Sequence, residues 1–192
     1  MSKTNKTLVT FIICSIIINA LFAISAVLLS VFGYKQPYIA LFITFFMFAY
    51  HVDIRIIIGA IVSCFKSKIN VDKALFIVSK REFHLLVFFK VKHWKDRFAT
   101  LHKDQFVFEK NDIVSLLKNN INAEIVHHIC FFVGFIAIAL GYLISPDELL
   151  VYVITSALAS FLLDLPPIMI QRYNRYRLQN IKNMQRNKCV SR

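Results

Sequence analysis

Apolar residues run through this 192-residue chain in long blocks, and the interruptions between them are short except for one, at residues 66–124. Residues 8–31 contain no charged side chain. Three further blocks follow, at about residues 37–65, 125–144 and 149–170. A helix needs about 20 mostly apolar residues to cross the hydrocarbon core of a bilayer, so each block is predicted to span it. The second is long enough to tilt. The expected fold is all-α: a polytopic integral membrane protein with four transmembrane helices. Residues 1–178 read as a single membrane domain and residues 179–192 as a flexible basic cytoplasmic tail. No internal repeat and no low-complexity linker interrupts the pattern.

Between the second and third blocks the pattern changes. In "VDKALFIVSKREFHLLVFFKVKHWKDR" apolar and aromatic residues are interleaved with bases. Leu75, Val78, Glu82, Leu85, Leu86 and Phe89 follow helical spacing only roughly. The region at about residues 71–118 is therefore expected to be interfacial or partly embedded, with lysine stems snorkelling outward. A polar excursion and a short amphipathic helix would then lead into the third span.

Charge sets the orientation. The connection from Lys66 to Lys118 holds twelve Lys or Arg, and the segment after Ile170 holds seven with no acid. The connection "SPDE" holds no base and two acids. Loops rich in Lys and Arg stay on the cytoplasmic side, so both termini are expected there, in the cell membrane. The net charge of +12 would point to nucleic acid in a soluble protein. Here basic loops lying against an anionic inner leaflet account for it, and no nucleic-acid partner is expected. The first block is too long for a cleaved signal peptide. Cys14, Cys64, Cys130 and Cys189 show neither CxxC nor Cys/His spacing, so neither a disulfide framework nor a metal site is expected.

An ionisable side chain inside a span costs free energy and usually faces the protein interior. Three groups qualify. In "HVDIR", His51 and Arg55 are four residues apart and share a helix face, with Asp53 turned about 160° away. Arg55 lies roughly 15 Å of helical rise from the inner end of its span, deep for snorkelling. In "AEIVHHI", Glu124 stands three residues before His127 and four before His128, so the three can cluster. A carboxylate beside an imidazole orients it and raises its basicity, which suits a general base. In "LLDLPPIMIQRYNRYRL", Asp164 and Gln171 share a face. Pro166 and Pro167 remove two backbone donors and are expected to break or kink the helix. Arg172, Asn174 and Arg175 follow. With the inferred topology all three groups fall in the cytoplasmic half. That asymmetry favours a site open to the inner leaflet over a channel or transporter, which would need polar groups through the whole depth.

"FKVKHWKDR", "AEIVHHI" and above all "IMIQRYNRYRL" resemble the glycosyl-4,4′-diaponeurosporenoate acyltransferases, small membrane proteins that close the staphyloxanthin pathway. The similarity runs from His51 to Leu178, about two thirds of the chain, and is most specific over Gln171–Arg175. The resemblance implies transfer of a fatty acyl group to a hydroxyl of a membrane glycolipid-like or isoprenoid glycoside acceptor.

Such a reaction needs a base near the hydroxyl, cations or donors for the oxyanion, and a route for an apolar chain. His127 or His51 is expected as the base, with Glu124 orienting His127. Arg55 and Asn174 are expected to face the developing negative charge. Lys92, Lys95 and Arg172 would hold the donor, a cytoplasmic acyl-CoA or acyl-carrier protein, and Trp94 would anchor at the interface. His128, Asp164, Gln171 and Arg175 complete the expected substrate-binding set. No cofactor or metal is expected. The His-x-x-x-x-Asp motif of soluble-headed acyltransferases is absent; His102 and Asp104 do not have its spacing. Two other readings use the same residues. One is a non-enzymatic lipid-binding or scaffolding membrane protein. The other is a metal-dependent membrane lipid-modifying enzyme, though the single Glu-x-x-His motif is half of what such helical bundles use.

Overall fold

The structure is a computed structural model and describes residues 3–33, 36–97, 112–144 and 146–190. The described residues hold eight α-helices and no strand. These are α1 (Lys3–Phe32), α2 (Gln36–Cys64), α3 (Lys80–Phe88), α4 (Val91–Trp94), α5 (Ile113–Val133), α6 (Ile136–Ile144), α7 (Leu149–Ala159) and α8 (Leu165–Val190). Four stretches are long and apolar enough to cross a bilayer: Ile12–Phe32, Pro37–Cys64, Ile113–Leu143 and Pro146–Asn187. The chain is an all-α membrane protein, as its apolar blocks indicated. The polar excursion after Arg97 falls on residues 98–111, together with His102 and Asp104, outside the described residues.

Two features depart from the sequence reading. The amphipathic helix runs without a break into the first part of the third apolar stretch, because nothing between Ile113 and Val133 is a helix breaker, and the stretch itself divides at Gly134 and Phe135 between α5 and α6. The prolines do not break the fourth stretch. Pro166 and Pro167 are the second and third residues of α8, and the helix passes through them without a gap. The turn before them, Ser160–Asp164, widens into a π-helix.

The chain divides into two compact units. The first comprises Met1–Ile58 and Ile129–Asp164. Its core is Ile43, Met47, Ala137 and Tyr152, with Ile39, Phe42, Phe46 and Tyr50 packed around it. The α2 members recur every three or four residues, which makes one apolar stripe. α1 joins through Phe22, whose ring centroid lies 5.4 Å from that of Phe42. Close approach requires glycine at two positions. A Cβ on Gly141 would overlap the Tyr152 ring, and one on Gly134 would stand 2.7 Å from Ser160 Oγ and 3.3 Å from His51 Cε1.

The second unit comprises Gly59–His128 and Leu165–Arg192. Val71, Ile113, Leu117 and Ile121 form one cluster, backed by Leu178 and Ile181 of α8. Leu86, Val91 and Tyr173 form another, with Phe83, Trp94, Met169 and Ile170 against it. Ser79 caps α3 by accepting from the Glu82 amide at 3.2 Å. Lys90 then adopts φ 53, a left-handed conformation that turns the chain so that Val91 is buried while Phe88 and Phe89 stay exposed. The stretch read as a flexible tail is helical to Val190. Gln179 ties it down: its Nε2 donates to the Phe76 carbonyl at 2.9 Å and its Oε1 accepts from the Val78 amide at 3.2 Å. Lys182 pairs with Asp72 at 2.6 Å.

Candidate functional site

The ionisable residues singled out in the sequence gather into two centres, one in each unit. In the first unit Arg55 Nη2 meets Asp164 Oδ2 at 2.5 Å, and the Asp164 side chain has no solvent exposure. Arg55 also donates through Nη1 to the His51 carbonyl. The helical spacing of His51 and Arg55 brings these groups together on α2, and the π-turn delivers Asp164 to them. The His51 imidazole is buried, at 5% exposure, against the edge of the Tyr50 ring. Neither of its ring nitrogens has a hydrogen-bond partner among the described residues. Asp53, predicted to turn away, accepts from Asn19 Nδ2 at 3.0 Å.

Polar groups continue along α7 and its π-turn. Tyr152, Ser156, Ser160 and Asp164 recur at four-residue intervals, and all four are fully buried. The Tyr152 and Ser156 hydroxyls have no hydrogen-bond partner among the described residues. Ser160 Oγ donates weakly to the Phe131 carbonyl at 3.4 Å.

The second unit contains a network of four charges. Glu124 on α5 is buried, with 7% side-chain exposure. Its Oε1 accepts from Arg172 Nη1 at 2.8 Å, and its Oε2 pairs with Arg175 Nη1. Arg172 makes a fork onto Glu82 of α3, through Nε to Oε1 and through Nη2 to Oε2, the latter at 3.0 Å. Two carboxylates and two guanidinium groups thus balance in one cluster, with Glu124 and Arg175 buried and Glu82 and Arg172 partly exposed; pairing is the condition under which such buried charges are tolerated. Arg175 is fully buried, and its Nε and Nη2 have no hydrogen-bond partner among the described residues.

The remaining candidates surround this network or stand apart from it. His128 Nδ1 lies 2.9 Å from the Glu124 carbonyl and 3.9 Å from its carboxylate. His127 is half-buried on the same helix. Lys95 Nζ donates to Asn174 Oδ1 at 3.4 Å and stands 5.7 Å from the centroid of the Tyr173 ring. Trp94 donates its indole N–H to the Phe89 carbonyl at 2.9 Å, and Lys92 is exposed. Gln171 Oε1 is buried with no donor among the described residues. A cavity of about 140 Å³ lies along α8, lined by Asp72, Tyr176, Gln179 and Lys182 among others, and none of the four network residues lines it. Among the described residues no three His, Cys, Asp or Glu side chains are grouped to hold a metal ion.

Sequence reasoning did not find Glu82 as a partner in the network. The pattern Ser79-x-x-Glu82 signals a helix start, but in the usual capping box the Glu side chain turns back to the cap. Here it reaches Arg172, ninety positions away, which local spacing does not reveal.

These features define a membrane protein with two buried arginine–carboxylate centres. Residues 76–184 match the glycosyl-4,4′-diaponeurosporenoate acyltransferase family, more than half of the chain, and the chain belongs to that family. The match contains all four residues of the Glu124 network and Asp164; it begins beyond His51 and Arg55, which the resemblance in sequence had included. No match is found among curated proteins or among solved structures.

Proposed function

We propose that the protein transfers a fatty acyl group from a cytoplasmic acyl thioester to a hydroxyl of a membrane glycolipid-like or isoprenoid glycoside acceptor. The reaction would occur at the cytoplasmic leaflet of the cell membrane, with both termini of the chain on that side. The observation that carries this reading is the family match over residues 76–184, which encloses the buried Glu124 network and His127 on one helix with it.

In this reading His127 takes the proton from the acceptor hydroxyl. The hydroxyl oxygen bonds to the acyl carbon, the carbon–sulfur bond breaks, and the proton passes to the departing thiolate. Glu124 fixes Arg172 and Arg175, and the unpaired N–H groups of Arg175 face the oxyanion as it forms. Arg172 is fully engaged by two carboxylates, so donor binding falls to Lys92 and Lys95 rather than to Arg172. Asn174 and Gln171 supply polar contacts to the acceptor, Trp94 anchors beside them and His128 supports Glu124. His51, Arg55 and Asp164 form a second candidate centre.

Lipidomic comparison of a strain lacking the gene with its parent tests the reading. The expected result is loss of one acylated lipid and accumulation of its form lacking the acyl group. Identical lipid profiles, with the protein shown to be present in the parent, would favour a non-enzymatic lipid-binding role.

A further inference from the structure

We infer that the outer face of α3 and the turn that follows it form a docking surface for anionic phospholipid. α3 is divided lengthwise. Glu82, Phe83 and Leu86 face inward: Glu82 to Arg172, Phe83 stacked at 4.1 Å on Tyr176, and Leu86 in the cluster with Val91 and Tyr173. Arg81, His84, Leu85 and Phe88, spaced i, i+3, i+4 and i+7, are all exposed. Phe88 is 77% exposed, Phe89 is exposed next to it, and Leu75 and Ile77 are exposed in the segment that precedes α3. An exposed apolar strip of this kind marks an interaction surface rather than a solvated one.

Charge identifies the occupant. Between Lys66 and Arg97 the chain carries nine Lys or Arg against three acids. Exposed bases beside exposed Leu and Phe suit an anionic lipid–water interface, where apolar side chains enter the acyl boundary and cations meet the headgroups. The segment also lies between two membrane-length stretches, one ending at Cys64 and the next beginning at Ile113, which tether it to the bilayer at both ends. The left-handed turn at Lys90 keeps Phe88 and Phe89 exposed while Val91 is buried. This inference does not depend on acyl transfer.

Trp94, the single tryptophan of the chain, reports on the surface. The full-length protein is reconstituted in bilayers in which either phosphatidylglycerol or phosphatidylcholine carries brominated chains at equal mole fraction. Brominated phosphatidylglycerol is expected to quench Trp94 about twice as strongly as brominated phosphatidylcholine, because the anionic lipid is enriched at the basic face. The excess should disappear in Lys80→Gln/Arg81→Gln. In Leu85→Ser/Phe88→Ser, quenching by both lipids should fall, with folding of each variant checked by its melting temperature. Equal quenching of the native chain by the two lipids overturns the anionic preference. Absence of quenching overturns the docking surface and would mean that residues 98–111 or a second copy of the chain covers this face.

Discussion

The two centres differ in whether their buried polar groups are charges paired with one another or neutral groups left alone. In the second unit, Glu82, Glu124, Arg172 and Arg175 pair charge against charge, with both carboxylate oxygens of Glu124 facing a guanidinium group, while Nε and Nη2 of the buried Arg175 keep no hydrogen-bond partner among the described residues. In the first unit, Arg55 and Asp164 pair, but His51, Tyr152 and Ser156 are buried beyond the reach of any partner among the described residues. A network of paired charges holds helices in place, and removing one member leaves its partners buried without a counter-charge. An unsatisfied buried hydroxyl does the opposite: its removal relieves a desolvation penalty. The same kind of substitution should therefore have opposite signs in the two units.

The largest effect is expected at Glu124. Glu124→Ala leaves Arg172 with only Glu82 and Arg175 with no counter-charge, and should destabilise by about 3–5 kcal/mol. Thermal unfolding in detergent or lipid discs measures it; a loss no greater than that of an exposed ion pair would show that the network does not hold the unit together. Next comes Gly134→Ala in the first unit. The added Cβ would collide with Ser160 Oγ and crowd His51, and overpacking of this kind costs about 1–3 kcal/mol. The smallest effect has the reverse sign. Tyr152→Phe and Ser156→Ala should each leave stability unchanged or raise it by about 1 kcal/mol, as removal of an unpaired buried hydroxyl predicts. If either variant melts well below the native protein, its hydroxyl has a partner and the contrast between the units weakens.

Much of the fold was legible because a bilayer imposes a length and a composition on each span. Residues sharing a helix face were legible too. His51 and Arg55 face the same way, and Asp53 faces elsewhere, as their spacing requires. What local spacing cannot supply is the partner from a distant helix. Asp164 reaches Arg55 across 109 positions, and Asn19 reaches Asp53 across 34. Glu124 was expected to serve a histidine from its position on α5. Its carboxylate also meets Arg172 and Arg175, which its position on α5 did not announce, because α8 passes beside α5 with both arginines turned inward. The prolines announced an irregularity but not its form. The helix continues through them, and the irregularity appears in the turn just before, as the π-turn that carries Asp164.

The direct test is acyl transfer by the purified full-length protein, with labelled acyl-CoA or acyl-carrier protein as donor and extracted membrane lipid as acceptor. Native enzyme is compared with His127→Gln and His51→Gln. The predicted result is an acylated lipid product whose kcat falls by about 10²–10⁴-fold in His127→Gln, the usual range for loss of a general base, with the melting temperature retained. Full activity in His127→Gln, with the loss appearing in His51→Gln, would contradict the account and move the chemistry to the first unit.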